Sequence, residues 1–320
     1  MKTLFVTGAE GFTGRHLVKF LRRRGYDVVA GVRNRARKLA FEKQIGRALV
    51  CDVSDPIDVA RAIGGVKPDG VIHLAGASLP SAAAAEPLNA YQGIVTAWAN
   101  VLDAVRRIVP RSRVVLVSAC EVYGNSGADG VPIREATPPA PISTFGSLKA
   151  AAEAIAHTYF LNYHLNLSIA RPFHYIGDGQ ADGFFFASVA KRLVTGGAAI
   201  DGQAMELPDL GARRDVMHIQ DAVQGYTDVL EEGQPNEIYN IASGQTRTVR
   251  EIVEAIARHS GRSVRFVESA PSGEPGIACL CGDNTRIREE FGWRSDFTPE
   301  QAAQDLVAGL QRQFVSASVA

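Results

Sequence analysis

The sequence predicts an α/β fold, a doubly wound parallel sheet carrying a smaller C-terminal lobe that binds the substrate. Three observations predict it. A glycine-rich turn joins an apolar run to a helix at the N-terminus, strand and helix patterns alternate through residue 171, and that rhythm breaks beyond it. Leu4-Phe5-Val6 reads as a short buried strand. It feeds Thr7-Gly8-Ala9-Glu10-Gly11-Phe12-Thr13-Gly14, and Arg15-His16-Leu17-Val18-Lys19-Phe20-Leu21 then reads as an amphipathic helix.

Such a turn sets backbone N–H groups and a helix N-terminus where a pyrophosphate can sit, the arrangement of a Rossmann unit. Gly8 permits the tight turn, Gly11 lets a cofactor approach the backbone, and Gly14 lets helix and strand pack closely. The next strands are expected near 27–32, 70–75, 113–118 and 166–171. Helical stretches near 14–24, 55–64, 84–108 and 145–163 separate them, with the alanine-rich residues 81–86 starting a helix. After residue 171, glycine and proline punctuate residues 177–183, 196–211 and 271–276, as in segments that wrap a ligand at the C-terminal edge of a sheet. We therefore expect a dinucleotide-binding domain over 1–171, with 214–245 returning to it, and a substrate lobe from 172–213 and 246–320.

Composition narrows the function classes. The chain has 320 residues, 46% hydrophobic, enough for a large core. Its 34 Lys+Arg balance 34 Asp+Glu, so no bulk charge points to nucleic acid or a membrane surface. The first strand starts at once, which leaves no room for a signal peptide, and no apolar run is long enough to span a bilayer; a cytoplasmic location is expected. Cys51, Cys120, Cys279 and Cys281 are too few and scattered for a disulfide framework or a zinc site, so no metal is expected.

The second strand bears on the cofactor. In an NAD-binding unit, an acidic residue about 20 positions past the glycines binds the ribose 2′-hydroxyl. Here Gly31-Val32-Arg33-Asn34-Arg35 stands there, with no carboxylate between Asp27 and Glu42. A guanidinium pairs with a 2′-phosphate, so NADP is expected, with NAD as the alternative; Arg33 and Arg35 should face the 2′ position beside Asn34. Asp52-Val53 would suit the adenine edge, and His73-Leu74-Ala75-Gly76 the next phosphate-facing turn.

Taken together, Thr7 to Gly14, His73-Leu74-Ala75-Gly76, Ser118-Ala119-Cys120-Glu121-Val122-Tyr123-Gly124, Lys149, Ala170-Arg171-Pro172-Phe173 and Arg213-Arg214-Asp215 resemble the extended short-chain dehydrogenase/reductases acting on nucleotide sugars. The resemblance runs almost full length. Within that family, residues 170–180 look most like the GDP-4-keto-6-deoxy-D-mannose reductases, with the GDP-mannose and dTDP-glucose 4,6-dehydratases close behind. It implies a cofactor cradle of Gly8, Gly11, Phe12, Thr13, Gly14, Leu74, Ala75, Gly76, Ser118, Lys149, Pro172 and Phe173. It also implies a nucleotide-sugar substrate and a homodimer built on the helices near 84–108 and 145–163, whose apolar faces the chain's own sheet could equally cover.

The family's catalytic pair is Tyr and Lys four residues apart, one turn apart on one helix face. Lysine lowers the phenol's pKa so that it can exchange a proton with the sugar. Here the pair is Phe145 and Lys149, and the partner hydroxyl falls on Ala119. Loss of a general acid costs roughly 10²–10⁴ in rate. Three explanations follow: a chain deliberately inactivated at these two positions, an enzyme with another proton carrier, or a dinucleotide-binding protein without chemistry. Thr144, Leu148, His174 and Tyr175 also depart from the family, which leans towards natural divergence.

Several side chains could carry the proton instead. Glu121 could act as base, the role the dehydratase resemblance also implies, or could be an ion-paired helix starter. Cys120 could protonate a leaving hydroxyl, though a small apolar filler is the commoner role. His174 titrates near neutrality, though a hydrogen bond to sugar or phosphate is commoner. Ser118 reads as a strand-end hydroxyl bonded to backbone, and Lys149 is still expected to hold the nicotinamide ribose. Arg214 and Arg286 suit a diphosphate through bidentate contacts. Gln180 and Lys191 could reach the base or its ribose. The expected activity is NADP-dependent reduction of a nucleotide-linked 4-keto-6-deoxyhexose; dehydration or epimerisation through Glu121, and cofactor binding alone, are the alternatives.

Overall fold

Seven strands form one parallel sheet: β1 (Thr3–Thr7), β2 (Asp27–Val32), β3 (Ala48–Val50), β4 (Gly70–His73), β5 (Arg113–Val117), β6 (Leu167–Pro172) and β11 (Ile238–Ile241). Their spatial order is β3-β2-β1-β4-β5-β6-β11. The computed structural model describes residues 2–76, 79–270 and 276–319, with side chains through residue 315. The strands are short apolar runs buried on both faces, as a parallel sheet covered by helices requires. The order reverses between β1 and β4, and there Thr7 lies opposite both Gly31 and His73. The loops after these strands meet at one edge, where doubly wound sheets bind ligands.

Helices cover both faces. On one side α1 (Phe12–Arg23) and α9 (Ile219–Glu232) bury Leu17, Leu21, Val223 and Tyr226 against the sheet. On the other, α3 (Pro56–Val66), α6 (Ala97–Ile108) and α7 (Thr144–Tyr163) contribute Ile63, Trp98, Leu102 and Ala156. The expected single helix over 84–108 is instead broken. It comprises α4 (Pro80–Ala85), α5 (Pro87–Tyr91), a π-helical turn (Gln92–Thr96) and α6. Pro80 and Pro87 each open a helix, because proline lacks the N–H and clashes with the preceding turn. An additional helix, α2 (Arg35–Gln44), occupies the basic stretch after β2. Its single buried residue is Phe41, so its sequence carries no apolar stripe.

Beyond β6, β7 (His174–Ile176) pairs with β10 (Val216–His218), β8 (Ala204–Leu207) with β13 (Arg265–Glu268), and β9 (Arg213–Arg214) with both β12 (Arg247–Thr248) and β14 (Cys279–Leu280). α8 (Phe185–Gly196), α10 (Val249–Ser260) and α12 (Pro299–Val319) bury Leu193, Val253, Ile256 and Leu306 in a separate core. α11 (Thr285–Phe291) turns back, and its Ile287 joins Trp293 in the core under the main sheet. Of the glycine- and proline-punctuated stretch at 271–276, residues 271–275 lie outside the described residues. Among the described residues, no helix is long and apolar enough to cross a membrane.

Candidate active site

A cavity of about 1500 Å³ runs along the C-terminal edge of the sheet. A single drug-sized ligand fills roughly 300–1,000 Å³, so this space suits two ligands end to end. One end is the glycine turn. Gly8 has φ +67°, and a Cβ there would stand 2.8 Å from Ala75 Cα. At Gly14 a Cβ would stand 2.4 Å from the Gly8 carbonyl oxygen, so no other residue fits. Gly11 caps α1 with no side-chain hydrogen bond, which leaves the first-turn N–H groups available to an anion. Gly8, Gly11, Phe12, Thr13, Gly14, Arg33, Asp52, Val53, Leu74, Ala75 and Gly76 all line this end.

Two other residues of the second-strand region do not. The Asn34 side chain accepts the Arg37 N–H at 3.0 Å, capping α2, and Arg35 is in the first turn of that helix; neither lines the cavity. A residue the sequence reading passed over does: Glu10, inside the glycine turn, accepts the Arg33 N–H at 2.9 Å, while its Oε2 is buried without a partner. The fourth residue of a glycine turn carries no constraint that would have marked it.

At the middle of the cavity the ends of β5 and β6 and the first turn of α7 meet. Val117, Ser118, Ala119, Cys120, Glu121, Phe145, Lys149, Pro172, Phe173, His174 and Tyr175 line it. Lys149 Nζ donates to the Val117 carbonyl at 2.8 Å and lies 5.7 Å from the Phe145 ring centroid and 5.5 Å from that of Trp98. Burial brings Lys149 down to about 8, opposed by the carboxylates of Glu153 and Glu121. Ser118 does not bond to backbone as expected. It donates to Glu153, which also grips Arg171 through Nε (3.0 Å) and Nη2 (2.6 Å). A buried ion pair must fill its remaining lone pairs, and the serine does this. Beneath the turn, Thr7 Oγ1 and His73 Nδ1 lie 2.7 Å apart, and burial lowers His73 to about 3.

Cys120, Glu121 and His174 converge: the thiol donates to Glu121 Oε2 at 3.6 Å and stands 4.0 Å from His174 Nδ1. Burial brings His174 down to about 4, against the pull of Glu121, so its imidazole is neutral near pH 7. Burial and then Glu121 push the Cys120 thiol well above its ordinary value. The sequence, which gave 120 and 174 no common spacing, did not mark this grouping.

The outer end holds Gln180, Phe184, Phe185, Ser188, Asp209 and Arg214. Gln180 donates to the Tyr175 carbonyl at 3.1 Å and leaves its Oε1 buried and unpartnered. Arg214 is near Cys120, Asp209 and Glu121, which counter the lowering that burial imposes on it. Two expected substrate residues are elsewhere. Lys191 pairs with Asp182 on the surface, and Arg286 binds Glu237 (2.5 Å) and the Ile238 carbonyl (3.0 Å) beside the edge strand β11. Both have local partners and neither lines the cavity.

Comparison with known proteins agrees with this geometry. The chain is 27% identical over 306 residues to GDP-6-deoxy-D-mannose reductase of Pseudomonas aeruginosa, covering 95% of this chain and 96% of that protein. It is 28% identical to putative UDP-arabinose 4-epimerase 4 of Arabidopsis thaliana, over 92% of this chain and 73% of that protein. The structure of RMD from Pseudomonas aeruginosa complexed with NADPH superposes with a TM-score of 0.84 at 25% identity, covering 98% of this chain and all of that one. Residues 4–242 match the NAD dependent epimerase/dehydratase family, and the chain belongs to that family.

Proposed function

We propose that this chain reduces a nucleotide-linked 4-keto-6-deoxyhexose with NADPH. The observation that carries the reading is the continuous cavity, which joins the glycine turn to Lys149 and then to Arg214 and Gln180. The full-length likeness to a GDP-6-deoxy-D-mannose reductase supports it. The dinucleotide's pyrophosphate is assigned to the N-terminus of α1, its 2′-phosphate to Arg33, and the sugar diphosphate to Arg214. In this reading 1–171 with 214–245 holds the dinucleotide, while 172–213 and 246–320 hold the nucleotide sugar.

Bound NADPH would supply a hydride to the sugar carbonyl carbon, and the carbonyl oxygen would need a proton from the protein. Phenylalanine at 145 cannot supply it. Lys149, with a pKa of about 8, is mostly protonated at neutral pH yet gives up its proton readily. The decisive experiment incubates the protein with NADPH and GDP-4-keto-6-deoxymannose and weighs the product. A gain of two hydrogens is expected. No gain, even in Phe145→Tyr/Ala119→Thr, would sink the reading.

One observation favours a second reaction. Glu121 lines the cavity with the Cys120 thiol 3.6 Å away, a base beside an acid as an elimination needs. A dehydratase or epimerase would retain its dinucleotide and turn over without added cofactor, and Glu121→Gln would stop it. A homodimer through α6 and α7 is also proposed, since Leu161 and Tyr163 on α7 are exposed.

A further inference from the structure

We propose that Cys120, Glu121 and His174 form a binding site for a zinc-class divalent cation. The three potential ligand atoms, one sulfur, one oxygen and one nitrogen, lie within 4.8 Å of one another. Zinc holds sulfur at about 2.3 Å and nitrogen or oxygen at about 2.0–2.2 Å, which for a tetrahedron puts donors roughly 3.3–3.6 Å apart. The separations, 3.6 Å from Sγ to Glu121 Oε2 and 4.0 Å from Sγ to His174 Nδ1, need only a few tenths of an ångström of closure.

The donor set itself selects the ion. Thiolate, imidazole and carboxylate together suit zinc or cobalt(II) rather than magnesium or calcium, which prefer all-oxygen shells. Among the described residues, His174 has no hydrogen-bonding contact closer than that sulfur, so its imidazole is left for a ligand. The thiol donates to Glu121; cation binding would release that proton to solvent and leave a thiolate and a carboxylate to neutralise two positive charges. Arg214 opposes a cation here, but Asp209 is close enough to balance it.

Three protein ligands leave a fourth position, and all three residues line the cavity with Lys149 and Phe145. This use of the ion, unlike the binding site, rests on the ketoreductase reading. The cation would polarise the sugar carbonyl where the family's tyrosine and threonine hydroxyls are missing. Hydride adds to the carbonyl carbon, the π pair moves to oxygen as NADPH becomes NADP⁺, and that oxygen takes the Lys149 proton.

The test reads metal rather than turnover, so failure of the reductase reading leaves it intact. Untagged protein, stripped with a chelator, is titrated with cobalt(II). One equivalent should bind with a near-ultraviolet thiolate-to-cobalt band and intense tetrahedral visible bands, and zinc should displace it. Cys120→Ser should abolish the ultraviolet band, and His174→Gln should abolish stoichiometric binding, each while retaining dinucleotide affinity as proof of folding. Wild-type protein that shows no such band, or takes up less than one equivalent at micromolar free metal, overturns the proposal. So does a band that survives Cys120→Ser, which would place the metal on Cys51, Cys279 or Cys281. If neither variant folds, X-ray absorption of the zinc-loaded wild type decides: a shell without one sulfur and at least one imidazole overturns it.

Discussion

The Lys149 ammonium nitrogen sits 5.7 Å from the centroid of the Phe145 ring, one helical turn away, and phenylalanine offers it no hydroxyl. The lysine is therefore placed to act on a phenol that the chain does not have. Phe145→Tyr would put a phenolic oxygen into the cavity that both residues line. Combined with Ala119→Thr, it should raise kcat/KM for ketone reduction by about tenfold or more, since a positioned general acid contributes roughly 10²–10⁴-fold. Steady-state oxidation of NADPH measures this, and an unchanged or lower rate would show that proton delivery does not limit turnover.

The same lysine sets a pH dependence. Its folded pKa of about 8 lies below the ordinary 10.5, so between those values the unfolded chain binds the extra proton. Stability contributed by this group therefore rises with pH across that window, because folding must strip the lysine of its proton at a cost that shrinks as pH nears 10.5. Activity should move the other way: if Lys149 gives the proton, kcat falls as pH rises through about 8. Lys149→Met should remove the rise in stability and lower kcat at every pH. Parallel denaturation and rate profiles over this range check both signs.

Below the site, Glu153 and Arg171 form a bidentate pair with side chains 6% and 2% exposed. Glu153→Ala would leave a buried guanidinium unpaired and remove the acceptor of Ser118, at a cost of about 3–5 kcal/mol. Removing Arg258 from its exposed contact with Glu300 should cost less than about 1 kcal/mol. Chemical denaturation of the two variants tests the contrast. Equal losses would mean that water reaches the inner pair.

How much was legible in the sequence depended on how local the cause was. Gly8 and Gly14 could be read because backbone clashes within a few residues, or with the adjacent turn at Ala75, admit nothing larger. Helix α2 could not, because burying Phe41 alone leaves no periodic pattern. Asn34 looked like a cofactor ligand and is a helix cap, a role the same residue type serves as readily. Arg286 and Lys191 each have a carboxylate partner that sequence spacing does not disclose. The Cys120, Glu121 and His174 grouping spans 54 positions and exists because β5 and β6 are neighbours in the sheet.

Two opposed charges lie at the glycine end of the cavity, where cofactor choice is expected to be decided. Arg33 offers a guanidinium there, while the Glu10 carboxylate accepts the Arg33 backbone N–H and keeps one buried oxygen unpartnered. In the proposed reading, a 2′-phosphate would gain charge-assisted hydrogen bonds from the first and be repelled by the second. A hydrogen bond to a charged group is worth roughly 1.5–3 kcal/mol, so wild-type protein should favour NADP over NAD by on the order of tenfold. Arg33→Ala should erase most of that preference by weakening NADP and leaving NAD nearly unchanged. Glu10→Gln keeps an acceptor for the N–H but removes the charge, and should widen the preference by several-fold through tighter NADP binding. Calorimetric titration of both dinucleotides into the three proteins separates the effects. Equal affinity for NAD and NADP in all three proteins would mean that neither charge reaches the 2′ position.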